Sequence, residues 1–171
     1  MLHTNDLAMK PMINLNDLME EQLREIFDGE KRLVKALNEI LEKASHPKLR
    51  ETIMEYKQSC DDNVLRLKQA FNLLFTQKRG ERCIVMCAML EEAGGLMERS
   101  MELTVMDAGI ITALQHIMHY KMAGYGAISN YATTVGLYEV AGLVHKNLDE
   151  EKKVDKELAA LAESAVNMQA I

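Results

Sequence analysis

The sequence predicts an all-α protein, a four-helix bundle with an additional short helix. Three observations carry this reading. Apolar residues recur three and four positions apart along nearly the whole chain, the spacing of one helix face. Only two prolines, Pro11 and Pro47, fall in 171 residues, so little breaks a helix. Apolar side chains make up 48% of the chain, enough to bury one core, and no segment requires a strand.

The first helix is expected from Leu15 to Ala44. Its stripe is Leu18, Ile26, Phe27, Glu30, Leu33, Leu37, Ile40 and Leu41, and Ser45-His46-Pro47 breaks it. Pro47 suits the first turn of the second helix, where backbone N–H groups lack intrahelical partners anyway. This helix is expected to reach Phe75 on the stripe Leu49, Ile53, Tyr56, Cys60, Val64, Leu67, Phe71 and Leu74. Thr76 to Arg82, with Gly80, reads as a charged loop. A shorter helix follows from Ile84 to Met101, weakened at Gly94-Gly95 by about 1 kcal/mol per glycine.

Asp107 is the expected N-cap of a long helix from Ala108 to Val135, with the stripe Ile111, Leu114, Met118, Lys121, Tyr125 and Ile128. Gly124 and Gly126 inside it would let a neighbour approach closely, and Gly136 would end it in a left-handed conformation. The last helix, Tyr138 to Ala165, carries Leu143, Leu148, Glu151, Asp155, Leu158 and Leu161. Residues 1–14 are thus read as an N-terminal extension, 15–165 as a single helical domain and 166–171 as a C-terminal tail. The stripes are wider than a coiled-coil seam, which favours a compact bundle over a rod.

Composition narrows the function. A net charge of −6 without a basic stripe argues against nucleic acid as a partner. No apolar run has bilayer length, and Met1 to Asn14 holds no signal-peptide h-region, so neither membrane nor export is expected. The three cysteines, Cys60, Cys83 and Cys87, are an odd number that fits a reduced cytoplasm better than a disulfide framework. Cys83 and Cys87 share a helix face but have no adjacent histidine, so small buried residues are a better reading than a zinc site. Thirteen methionines and no tryptophan point to flexible core filling, with a methionine copper site as the functional alternative. No nucleophile–base arrangement, phosphate-binding glycine loop or HExxH motif is present, so no enzyme class follows.

The informative residues are polar ones inside apolar stripes: Glu30, Lys121, and Glu151 with Asp155. A carboxylate facing a core is costly unless a metal, a lysine or a proton meets it. Carboxylates projecting inward from facing helices hold pairs of iron or manganese ions in ferritin-like bundles, together with histidines. Here the histidine supply is poor, since no Glu-x-x-His spacing occurs on the second or fifth helix. Three readings stand: Lys121 pairs with Glu30 and Glu151 in the core, these residues sit at the edges of their stripes, or the carboxylates hold metal.

Four stretches carry a resemblance: LREIFDGEKRLVKAL around Glu30, NVLRLKQAFNLLF in the second helix, QHIMHYKMAGYGAI in the fourth and LDEEKKVDKEL in the fifth. With the helix order they span residues 15–163, and His119 to Gly126 is the most specific part. The chain resembles the YciE/YciF-like bacterial family, a domain of unknown function with a ferritin-like fold. The resemblance implies acidic residues at Glu30, near Ser59, on either side of His119-Tyr120, and at Glu151. This chain has Ser59, Met118 and Lys121 where carboxylates would stand, and Tyr56 where a histidine would. The candidate ligands it leaves are Glu30, Glu151 and Asp155, with Glu92 or His119. It further implies a stress-response role and a homodimer, and no reaction.

The expectation is therefore a non-catalytic ferritin-like protein without a cofactor, its metal centre replaced by a Glu30–Lys121–Glu151 charge cluster. The alternative is a di-iron or di-manganese protein acting on oxygen or peroxide. An interaction module using the methionine-rich sequence from Met86 to Met106 is the third class.

Overall fold

The computed structural model describes residues 11–76 and 82–171. The predicted loop at 76–82 therefore lies mostly outside the described residues, as does most of the N-terminal extension. Four long helices dominate: α1 (Leu15–Lys43), α2 (Pro47–Leu73), α4 (Leu103–Thr134) and α5 (Tyr138–Leu161). A shorter α3 (Ile84–Arg99) precedes α4, and a π-helical turn (Ala162–Val166) leads from α5 into a last short α6 (Asn167–Gln169). Asn14 caps α1 through its side chain, which accepts from the Asp17 amide at 3.0 Å. Gly136, with φ of 81°, closes α4 as its sequence position suggests.

The helices pack as a ring in which α1 touches α2 and α4, and α5 touches α2 and α4, while α3 lies against α1 and α4. Two apolar cores divide the bundle along its length. One holds Leu33, Leu37 and Ile40 of α1, Leu49 and Ile53 of α2, Ile111 and Leu114 of α4, and Leu158 of α5. The other holds Met19, Leu23 and Phe27 of α1, Phe71 of α2, Ile128 and Ala132 of α4, and Val144 of α5. The order of these residues gives the chain direction: α1 and α5 run one way, α2 and α4 the other. The long connection through α3 joins the parallel pair, which is the single-crossover topology of ferritin-like bundles.

Several predicted ends move, with α3 stopping at Arg99 rather than Met101 and α5 at Leu161 rather than Ala165. The second helix stops at Leu73 because Phe75 adopts a φ of 52°, outside the helical region. The fourth starts at Leu103, five residues before the predicted Ala108, and Asp107 is not its cap. The Asp107 carboxylate instead reaches across to the α1–α2 connection. It accepts from the Ser45 amide (2.8 Å), the Ser45 hydroxyl (2.6 Å) and the His46 amide (2.9 Å). His46 supplies no side-chain cap of its own to α2, and Asp107 from another helix instead holds the connection just ahead of it. Asp107→Ala is expected to cost about 2–3 kcal/mol, because three partly buried donors lose a charged acceptor. Urea unfolding checks this, and Asp107→Asn should recover part of the loss.

One of the two predicted α4 glycines lies at a close approach. A Cβ on Gly124 would lie 3.0 Å from Ile26 Cδ1 of α1, whereas a Cβ on Gly126 would meet nothing within 4 Å. In the exposed charge run of α5, Asp149 meets Lys152, and Lys153 reaches Glu157. Among the described residues, no helix is long and apolar enough to cross a membrane.

Candidate functional site: a buried charge cluster

Each long helix crosses from one apolar core to the other at a polar residue. On α1 this is Glu30, between Phe27 and Leu33; on α2, Asn63, between Cys60 and Leu67; on α4, Lys121, between Met118 and Tyr125; on α5, Glu151, between Leu148 and Val154. All four are 0% exposed. The helical period that aligns each apolar stripe turns these residues inward, and the packing of the helices brings them to one level of the bundle.

Lys121 Nζ lies 2.9 Å from Glu30 Oε1 and 2.6 Å from Glu151 Oε1. It also donates to the Tyr56 hydroxyl at 3.0 Å, and Cys60 Sγ stands at 3.6 Å. An ammonium has three protons, and here they point to Glu151, the Tyr56 hydroxyl and the Cys60 sulfur, while Glu30 is held as an ion pair. Asn63 Nδ2 bridges the same carboxylates, donating to Glu30 Oε1 at 3.1 Å and Glu151 Oε1 at 3.0 Å. The Tyr56 hydroxyl donates to Glu151 Oε2 at 2.9 Å, and the Tyr125 hydroxyl donates to Glu30 Oε1.

Asn63 is itself oriented from outside. Its Oδ1 accepts from Arg66 Nη2 at 2.8 Å, which turns the amide nitrogen toward the carboxylates. Arg66 also pairs with Glu150 and donates to Asn147, and the Ser59 hydroxyl reaches Glu150 at 3.0 Å. A polar path therefore runs from the buried layer to the α2–α5 surface.

The electrostatics favour a charged lysine. Burial alone would lower the Lys121 pKa, but Cys60, Glu151 and Glu30 outweigh it and hold the ammonium above its usual value. Burial pushes the Glu151 carboxyl up, and the Glu30 charge adds to that, while Lys121 opposes both. Burial likewise raises Tyr56 and Tyr125 well above a free phenol, helped by the neighbouring carboxylates, so both keep their protons and act as donors.

Three of the five candidate ligands lie elsewhere. Glu92 is exposed on α3. His119 is exposed on α4, its Nε2 3.2 Å from Asp155 Oδ1. Asp155 is half-buried at the edge of α5 and also accepts from Gln115 at 3.1 Å. Glu30 and Glu151 do meet, with Lys121 between them. Among the described residues, no three His, Cys, Asp or Glu side chains converge as a metal set. Glu30 Oε2 is the one buried carboxylate oxygen of the cluster without a hydrogen-bond partner there. One free oxygen does not fit the donor set of a di-iron centre, about four carboxylates and two histidines.

Sequence reasoning missed Asn63 and gave Tyr56 and Tyr125 only an apolar role. The available signal for Asn63 was its position three residues after Cys60 and four before Leu67, on the inner face of α2.

Fold and site together define a ferritin-like four-helix bundle whose central polar layer is closed by a lysine. The chain belongs to the family described as Domain of unknown function (DUF892), which matches residues 14–171. It is 29% identical over 160 residues to Protein YciF of Escherichia coli strain K12, covering 93% of this chain and 96% of that protein. The crystal structure of the E. coli stress protein YciF superposes with a TM-score of 0.87 at 28% identity, over 91% of this chain and 99% of that one. YcfI of Rhodopseudomonas palustris, described as a candidate structural protein, gives 0.86 at 26% identity, over 88% and 96%.

Proposed function

We propose that this protein is a non-catalytic ferritin-like scaffold of a bacterial stress response. It works as a cytoplasmic homodimer and holds an ammonium where bundles of this type hold metal. The observation that carries this reading is Lys121 Nζ, fully buried within 2.9 Å of Glu30 and 2.6 Å of Glu151. A divalent cation would have to displace a resident cation that is already paired with both carboxylates. The kinship with a stress protein supports the physiological part of the reading.

The test is elemental analysis after anaerobic ferrous reconstitution and desalting, with Glu30→Ala alongside. Neither protein should retain iron. Roughly one or two irons per chain in the wild type, lost in Glu30→Ala, would instead restore a di-iron reading in which Glu30 is a ligand. Sedimentation equilibrium tests the dimer, and a monomer at micromolar concentration would remove that part.

A further inference from the structure

A groove of about 460 Å³ runs between α1 and α3 and shares no residue with the charge cluster. Its volume falls within the range of small-molecule sites, roughly 300–1,000 Å³. Lys31, Arg32, Lys35, Asp28, Glu39 and Cys87 line it. Asp28 is already committed, accepting Arg32 Nε at 2.6 Å and the Cys83 amide at 2.9 Å. Burial would raise its carboxyl, but Arg32 and the Cys83 amide hold it below the usual range. With Asp28 paired to Arg32, Lys31 and Lys35 stand against the single carboxylate of Glu39, so the groove keeps a small positive excess on its α1 side, where Lys31 Nζ rests 5.4 Å over the Phe27 ring.

The three cysteines differ in what they are free to do. Cys60 is 0% exposed in the core. Cys83 is 1% exposed, and its sulfur accepts from the Met86 amide at 3.4 Å and contacts the Tyr120 hydroxyl at 3.1 Å. Cys87 is half-buried, opens on the groove, and its thiol makes no hydrogen bond among the described residues. The Arg32 guanidinium interacts electrostatically with it. Partial exposure sets Cys87 apart from the two buried cysteines, which the fold shields from reagents.

We propose that this groove is a modification site in which Cys87 forms a mixed disulfide with a small anionic disulfide whose carboxylates Lys31 and Lys35 hold. The Cys87 thiol releases its proton to solvent, and the thiolate attacks one sulfur of the incoming disulfide. The new S–S bond forms as the old one breaks. The other half leaves as a thiolate and takes up a proton. Cys87 is oxidised and the departing half is reduced, so no further oxidant is needed. The inference is independent of the reading of the buried cluster.

The full chain is treated separately with glutathione disulfide and with the uncharged hydroxyethyl disulfide, and adducts are followed by intact mass and located by peptide mapping. One glutathionyl group should appear on Cys87 and be absent in Cys87→Ser. Lys31→Gln/Lys35→Gln should slow the glutathione reaction by about threefold to tenfold, the range two exposed ion pairs support. The hydroxyethyl reaction should keep its rate. Both lysines are exposed, so the variant should fold, and Lys35→Gln alone gives a second reading of the same effect. No adduct, an adduct chiefly on Cys83 or Cys60, or an equal slowing of both reagents would overturn the proposal.

Discussion

Lys121→Met is expected to destabilise the protein by about 3–5 kcal/mol at neutral pH, the usual cost of removing one partner from a buried ionic group. The substitution nearly preserves volume, so lost packing contributes little. What remains is Glu30 and Glu151 at 0% exposure with no cation between them. Tyr56, Tyr125 and Asn63 still donate to the carboxylates, but none of them carries charge. A variant that also carries Glu30→Gln and Glu151→Gln should regain most of the loss, because a neutral polar layer no longer buries unpaired charge. If Lys121→Met alone unfolds at the wild-type urea concentration, the ammonium is not the counter-charge of this layer.

The pH dependence gives an independent signature. The folded-state pKa of Glu151 is raised, chiefly by burial. A carboxyl raised in this way adds stability that is fully present below its unfolded pKa and is lost as pH rises through the folded one. Lys121 opposes the rise, so Lys121→Met should lift the folded pKa further and deepen the loss above it. The variant should therefore gain stability relative to wild type as the buffer moves from about pH 8 to about pH 5. A constant difference across that window would argue against a titrating carboxylate.

Asn63→Ala should cost about 3 kcal/mol. Its amide serves two carboxylates and receives the Arg66 guanidinium, so three hydrogen bonds to charged groups disappear together. The loss leaves Arg66 attached only to Glu150 and Asn147, on the far side of the missing amide. Urea unfolding should show a lower midpoint with an unchanged slope. Combined with Lys121→Met, the effects should be less than additive, since both residues act on the same carboxylate oxygens. Strict additivity would mean that Asn63 belongs to a separate structural unit.

Much of the architecture is readable from the chain because helical period and breakers are local properties. Pro47, the Gly136 turn and the stripes place four long helices and a shorter one, with most ends within a few residues. The α4 start is the largest departure, and its cause is not local. Asp107 has the composition of a cap for its own helix, yet its carboxylate serves the backbone of Ser45 and His46, 62 and 61 residues away. Spacing along a single helix cannot show which distant N–H groups a carboxylate will meet.

The same division holds at the buried layer. By itself the sequence singled out Glu30, Lys121 and Glu151 as polar interruptions of apolar stripes at helical spacing, and left open whether they face the core or sit at its edge. It also indicated that the histidines and carboxylates of a metal centre are too few. Only the tertiary structure decided that these residues stand at one level, that Lys121 reaches both carboxylates, and that Asn63 and two tyrosine hydroxyls complete the set. It also decided that Asp155 and His119 pair with each other away from the cluster. The physical reason is that helical period determines the direction in which a side chain points. Its height relative to neighbouring helices depends on how the helices pack, and buried hydrogen bonds form only between groups that reach the same height.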